Sequence, residues 1–140
     1  MTLDYAAAGD LLELIRELTE RFDGDRLVEL LTNDAAYEPD PFEPPLAGHS
    51  DIRAYWLRAA DERRQTEMTI ERHWVSGSTV LAAWHLSFVR VRDAARVRSR
   101  GFMTLELRDG RIERWREWSQ ARVAAPATDG DGARGRFDGR

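Results

Sequence analysis

What most constrains the fold of this chain is a change of texture near Thr66: before it apolar residues recur every three or four positions, and after it they alternate. In the first part Leu11, Leu14, Ile15, Leu18 and Phe22 share one face among charged residues, which predicts an amphipathic helix stopped by Asp23-Gly24-Asp25. Leu27, Leu30 and Leu31 predict a short second helix with Asp25 as its N-cap. The stretch AAYEPDPFEPPLAG holds four of the five prolines, so it reads as a short strand followed by an irregular loop. A third helix, with Ser50 as N-cap, carries Ile52, Tyr55, Trp56 and Ala59 on one face, and the charged run DERRQ closes it.

The second part holds four strand-like runs, 69–76, 79–92, 97–108 and 111–122, separated by the turn signals SGS, DAA and DG. Helices followed by an antiparallel meander give an α+β chain whose helices cover one face of a curved sheet. Residues 1–122 form the expected domain. The tail 123–140, rich in Gly, Asp and Arg from Pro126 onward, has too little apolar surface to fold and is expected to be disordered.

At 140 residues the chain is long enough to bury a real core. Its net charge of −4 argues against nucleic acid or an anionic membrane as the main partner. No apolar run approaches the roughly 18 residues of a membrane span, and MTLDYAAAGD lacks the basic start and apolar run of a signal peptide, so a cytoplasmic location is expected. Without cysteine there is no disulfide, thiol nucleophile or thiolate metal site. His49, His73 and His85 have no ligand spacing, so no metal and no cofactor are expected. Arg90, Arg92, Arg96, Arg98 and Arg100 fall near one hairpin tip without interleaved aromatics, which reads as a solvated tip rather than a nucleic-acid site.

Register decides which side chains face inward, because a one-residue slip turns a whole strand over. Pairing Phe88 with Gly101, Leu86 with Met103, Trp84 with Leu105 and Ala82 with Leu107 gives one continuous apolar face. It sends His85, Ser87, Thr104 and Glu106 to the other side. The alternative stacks Arg92 on Arg96 and Arg90 on Arg98, opposing like charges. The last strand, RIERWREW, is harder, since both of its faces carry charge and indole. A two-residue turn at Asp109-Gly110 would put Ile112, Arg114, Arg116 and Trp118 on the Leu105 face. A three-residue loop with a bulge at the glycine would put Glu113, Trp115 and Glu117 there instead. Periodicity leaves both open.

The order of three helices, a proline-rich loop, LAGHSDIRAYW and a meander ending ELRDGRIERWREW resembles the nuclear transport factor two-like, or SnoaL-like, family over roughly residues 8–122. The resemblance implies a cone, a strongly curved mixed or antiparallel sheet wrapped by the three helices around a pocket. It also implies a homodimer through the outer sheet face. A strand with a pocket on one side and an interface on the other has no simple apolar face. By the same resemblance Trp115 and Glu117 turn inward, joined in the pocket by Tyr37, Trp56, Trp84, Leu86, Met103, Leu105 and His73.

The chemistries of the family carry over only in part. Limonene epoxide hydrolase-like sites place an Arg-x-Asp pair where this chain has Trp84 and Leu86, an aspartate matching Glu117, and a Tyr-x-Asn pair matching Tyr37 and Pro39. Only the tyrosine and an acid remain. In ketosteroid isomerase-like sites the base lies in Glu-Asp-Pro, against Glu38-Pro39-Asp40-Pro41 here, so Asp40 takes that role after a one-residue shift. The oxyanion-binding tyrosine and acid fall near Glu17 and Met103, which cannot fill it. Scytalone dehydratase-like sites need histidine and aspartate, and His85 points outward in the favoured register.

The expectation is therefore a pocket protein for a small hydrophobic molecule, with Glu117, Asp40 and Tyr37 as catalytic candidates for cyclisation, isomerisation, dehydration or hydrolysis without a cofactor. The opposing expectation is a non-catalytic ligand-binding or protein-interaction homodimer, since such folds serve both.

Overall fold

In the computed structural model, which describes residues 3–124, the first apolar stripe is realised in α1 (Tyr5–Arg21). Asp4 caps it by accepting from the Ala7 amide at 2.7 Å, and Ala8, Leu12, Ile15 and Leu18 are its buried positions. It ends at Phe22, whose left-handed backbone (φ 51°) lets the Asp23 amide reach the Leu18 carbonyl at 3.1 Å. Asp23, rather than Asp25, then caps the single turn α2 (Gly24–Leu27) by accepting from the Arg26 amide at 3.1 Å. A further turn of 3₁₀-helix, Val28–Leu30, leads into β1 (Leu31–Glu38). Past the proline-rich loop come β2 (Leu46–Ala47) and α3 (Gly48–Glu62). Gly48, at φ 83°, opens α3, so Ser50 lies inside the helix and does not cap it.

No loop follows α3. The run DERRQ, read as a helix end, is half strand: β3 (Arg63–Ser76) begins at the next residue. It pairs with β4 (Thr79–Arg90), β4 with β5 (Arg96–Arg108), and β5 with β6 (Arg111–Ala124), all antiparallel. β1 then joins β6 in parallel, so the sheet is mixed, six-stranded and open, in the order β2-β1-β6-β5-β4-β3. This is the cone-like α+β architecture expected from the sequence. Val123 and Ala124 belong to β6, two residues into the expected tail, and the rest of that tail lies outside the described residues. Among the described residues no helix is long and apolar enough to cross a membrane.

The predicted faces of β4 and β5 are observed, but through a register shifted by four residues. Phe88 pairs with Val97, Leu86 with Ser99, Trp84 with Gly101 and Ala82 with Met103. The loop between the strands closes two residues earlier than expected. Asp93 binds the Arg90 guanidinium at 2.7 Å and accepts from the Ala95 amide at 3.2 Å, while the Arg90 amide reaches the Ala95 carbonyl at 2.8 Å. An even shift preserves the faces.

The interior lies between the concave face of the sheet and the helices. Leu12, Ile15, Leu27, Leu31, Ile52, Met103, Leu105 and Ile112 are essentially fully buried. Removing each such side chain from water contributes roughly 1.5–3 kcal/mol. α1 is tied to β3 by polar contacts as well: Glu20 accepts from the Met68 amide at 2.9 Å, beside the bulge between Arg64 and Glu67.

Candidate functional site

The Asp-Gly turn and the strand behind it settle the open choice in β6 in a way neither alternative described. Asp109 (φ 53°) and Gly110 (φ 81°) make a two-residue turn, so Arg108 faces Arg111 and Leu107 faces Ile112. The next pair is Glu106 with Arg114, which leaves Glu113 as an extra residue. The bulge therefore sits three residues beyond the glycine, and its carboxylate is held by Arg108 at 3.0 Å. Ile112 faces inward before the bulge. After it, Trp115 pairs with Leu105 and Glu117 with Met103 on the same inner face.

Trp115 is 2% exposed and forms the hub of an aromatic cluster. Tyr37, its neighbour on β1, meets it edge-on with ring centroids 4.9 Å apart, and Tyr37 meets Tyr55 of α3 at 5.6 Å. Trp56, from the same helix, lies 6.4 Å from Trp115 and 5.8 Å from Phe22. On the other side of the concave face Trp84 lies over Gly101. A Cβ there would come within 2.7 Å of the Trp84 ring and 2.8 Å of Ser119 Cβ, and would strike the Trp118 carbonyl oxygen. The glycine is what allows the indole to lie flat against the strand.

Glu117 is the one acid set among these rings. It is partly buried and forms no ion pair or regular hydrogen bond among the described residues. Burial of its carboxyl raises the pKa to about 7, against two weaker opposing influences, the Trp115 side chain and the charge of Arg63. The Trp115 N–H faces Glu117 closely enough to favour its anion but not in regular hydrogen-bond geometry. Tyr37 and Tyr55 both titrate above the ordinary phenol value, first because they are buried and next because the Glu117 charge opposes a second anion. Both phenols are thus O–H donors at neutral pH. The indole N–H groups of Trp84 and Trp115 are buried and meet no regular acceptor.

Tyr37, Glu117 and Trp115 thus share one region, with Met103 and Leu105 fully buried beneath them and Leu86 further along β4. Asp40 does not join them. It is exposed in the proline-rich loop, where its carboxylate accepts from the Phe42 amide at 2.9 Å and stabilises the turn. His73 faces α1 rather than the aromatic cluster. Its ring stacks on Tyr5 at 4.0 Å, its Nε2 meets the Tyr5 carbonyl at 3.1 Å, and Gly9 makes room for it. Two participants were missed from sequence. Tyr55 shares the α3 face with Trp56, a signal that was present. Arg63 was hidden in DERRQ, and no local pattern marks the one arginine of that run whose guanidinium lies over Phe88.

An open concavity of about 660 Å³ lies around the Asp-Gly turn and is lined by Thr32, Asn33, Asp34, Arg108, Asp109 and Arg111. Its rim is cross-linked by Arg108 to Asp34 and Glu113, both at 3.0 Å. Six positions of β6, roughly 20 Å of strand, separate Arg111 from Glu117. Among the described residues no group of three or more His, Asp or Glu is placed to hold a metal.

Among solved structures the chain is similar to SalBIII, an epoxide hydrolase/cyclase-like enzyme of pyran ring formation in the polyether salinomycin, with a TM-score of 0.76 and 17% identity over 86% of this chain and 98% of that one. An epoxide hydrolase of M. tuberculosis like limonene epoxide hydrolase matches with a TM-score of 0.69 and 23% identity, over 82% of this chain and 84% of the other. A protein of ketosteroid isomerase-like fold from Catenulispora acidiphila, solved with trimethylamine, matches with a TM-score of 0.68 and 14% identity, over 74% and 79%. At these identities the likeness is one of fold. No curated protein matches the sequence. The SnoaL-like domain pattern matches residues 12–115, the stretch from the buried face of α1 to the hub of the aromatic cluster, and the chain belongs to the SnoaL-like domain family.

Proposed function

We propose that this chain binds a small hydrophobic molecule within the cone and moves a proton on it with Glu117, without a cofactor. The observation that carries this reading is a carboxyl of pKa about 7 set among aromatic rings without an ionic partner. Such a group is present in both forms near neutral pH, so it can give a proton or take one. Tyr37 and Tyr55 keep their protons and would donate hydrogen bonds to an oxygen on which negative charge develops. Trp115 and Trp84 supply further N–H donors and the apolar walls. In an isomerisation or cyclisation the proton passes from a substrate carbon or hydroxyl to Glu117 and returns to a different atom. In a dehydration or ring opening it passes from Glu117 to the leaving oxygen.

The test is a panel of cyclic epoxides, hydroxy ketones and unsaturated ketones, assayed for binding and turnover. Glu117→Gln is expected to lower turnover at least about 100-fold while retaining binding, with Tyr37→Phe less severe. Unchanged turnover in Glu117→Gln would remove the acid–base role. Binding with no turnover in the wild type would favour the non-catalytic ligand-binding reading.

The outer face supports a second part of the proposal, a homodimer. Trp74 (38% exposed) and Trp118 (41% exposed) flank Phe102, with Trp74 and Phe102 rings 5.8 Å apart. Sedimentation of the purified chain as a monomer at micromolar concentration would sink the homodimer.

A further inference from the structure

Arg63, the first residue of β3, is a partly buried cation set against aromatic rings. Its guanidinium carbon lies 4.4 Å from the centre of the Phe88 ring and 5.7 Å from that of Phe22. From Phe22 the rings continue through Trp56 to Trp115, two residues before Glu117. The other partly buried arginines among the described residues own a carboxylate: Arg16 has Glu13 at 2.6 Å; Arg90, across the strand from Arg63, has Asp93 at 2.7 Å; Arg116 and Arg114 have Glu38 at 3.0 and 3.6 Å. Glu20 of α1 is committed to Arg16 and the Met68 amide. Among the described residues Arg63 has no carboxylate within ion-pair distance, and it is partly buried.

Aromatic faces hold a guanidinium in place without neutralising it. A cation withdrawn from water is costly until it meets an anion, and a guanidinium fork matches a planar carboxylate or enolate with two parallel hydrogen bonds. Glu117 does not fill this need, because burial outweighs the influence of Arg63 on its carboxyl.

We propose that Arg63 anchors the ligand of the cone, and that this ligand is an apolar, ring-containing organic anion whose charge sits on a planar carboxylate or enolate. The anionic group lies on Arg63 and the ring body extends along Phe22, Phe88 and Trp56 toward Trp115. A charged group at the ligand's end would orient the rest of it relative to Glu117, leaving the proton transfer to a distant atom of the same molecule. This inference rests on the pocket reading above, and it adds the charge and polarity of the molecule.

The probe is a matched pair, 2-naphthoate and its neutral amide 2-naphthamide, titrated into the full chain by calorimetry near pH 6, where Glu117 is mostly neutral and the naphthoate is ionised. The wild type is expected to bind the naphthoate roughly tenfold or more tightly than the amide. Arg63→Met should abolish that preference while leaving amide affinity within about twofold, and Arg63→Lys should keep only part of it. Circular dichroism verifies that each variant is folded, and Arg63→Lys preserves the charge if Arg63→Met does not fold. Equal binding of the pair by the wild type, or an undiminished preference in either variant, would overturn the inference while leaving the pocket intact. If neither compound binds, the pocket reading itself fails and takes the inference with it.

Discussion

The two faces of β6 carry the same kinds of residue and treat them in opposite ways. Inward, Trp115 is 2% exposed; outward, three residues later, Trp118 is 41% exposed. Outward, Arg114 and Arg116 converge on Glu38 of β1 at 3.6 and 3.0 Å, so that carboxylate has two cations beside it. Inward, Glu117 has no such partner, and its burial is relieved by holding a proton. The two faces therefore show two answers to a partly buried acid: set counter-charges beside it, as β6 does for Glu38 of β1, or move its pKa. The second answer leaves the group able to exchange a proton at neutral pH.

Substitutions can break this comparison at graded cost. Trp115→Ala removes the hub of the aromatic cluster and is expected to lose about 3–5 kcal/mol in urea unfolding, against about 0.5 kcal/mol or less for Trp118→Ala in the monomer. Similar losses for the two would mean that the faces are not distinguished by packing.

Glu117→Gln tests the answer by protonation. The folded pKa of about 7 lies above the ordinary 4.5, so the stability this group allows is complete below about pH 4.5 and is lost as the pH rises through about 7. Partial exposure of the residue lowers the full cost, which is up to about 3 kcal/mol. The glutamine variant should be the more stable protein at about pH 8, and the difference should close by about pH 5. A variant less stable at the higher pH would show that Glu117 is stabilised there as an anion.

Gly101→Ala asks how tightly the inner face is fitted. The added methyl meets a backbone carbonyl and the Trp84 ring, so a loss of about 1–3 kcal/mol is expected, together with a changed Trp84 fluorescence. An unchanged midpoint would show that the indole has room to retreat. Smallest of the four is Arg116→Ala, which leaves Arg114 still near Glu38. It should cost about 1 kcal/mol or less and weaken with added salt, as partly exposed ion pairs do.

Much of the fold was legible because it rests on periodicity. Ile15 and Leu18 on the buried face of α1, the Ile52 and Trp56 face of α3, and the inner set Ala82, Trp84, Leu86 and Phe88 follow from spacing, whereas Ala8 and Leu12, also buried in α1, were not picked out. The misreadings share one physical origin, local chemistry that spacing does not record. Asp93 closed the β4–β5 loop early, and the paired register shifted by four with no penalty on the faces. Gly48 opened α3 by its positive φ before Ser50 could cap it. In the site, Tyr37, Trp115 and Glu117 were named from a family resemblance and not from spacing. The place of Arg63 depends on Phe22 and Phe88, which are 41 residues behind it and 25 ahead of it in the chain, and no local reading joins them.

The extra residue at Glu113 works as a shim. It separates the phase of the turn from the phase of the wall behind it, so the hairpin can obey the geometry of Asp109-Gly110 while Trp115 and Glu117 still point where Leu105 and Met103 meet them. A chain shortened by one at this position would keep its interior, with the slack simply taken up. The same loss just past Trp115 would turn the acid out to the surface and draw an arginine or tryptophan in. Tolerance to deletion along this strand is thus a matter of which side of Trp115 the missing residue falls on.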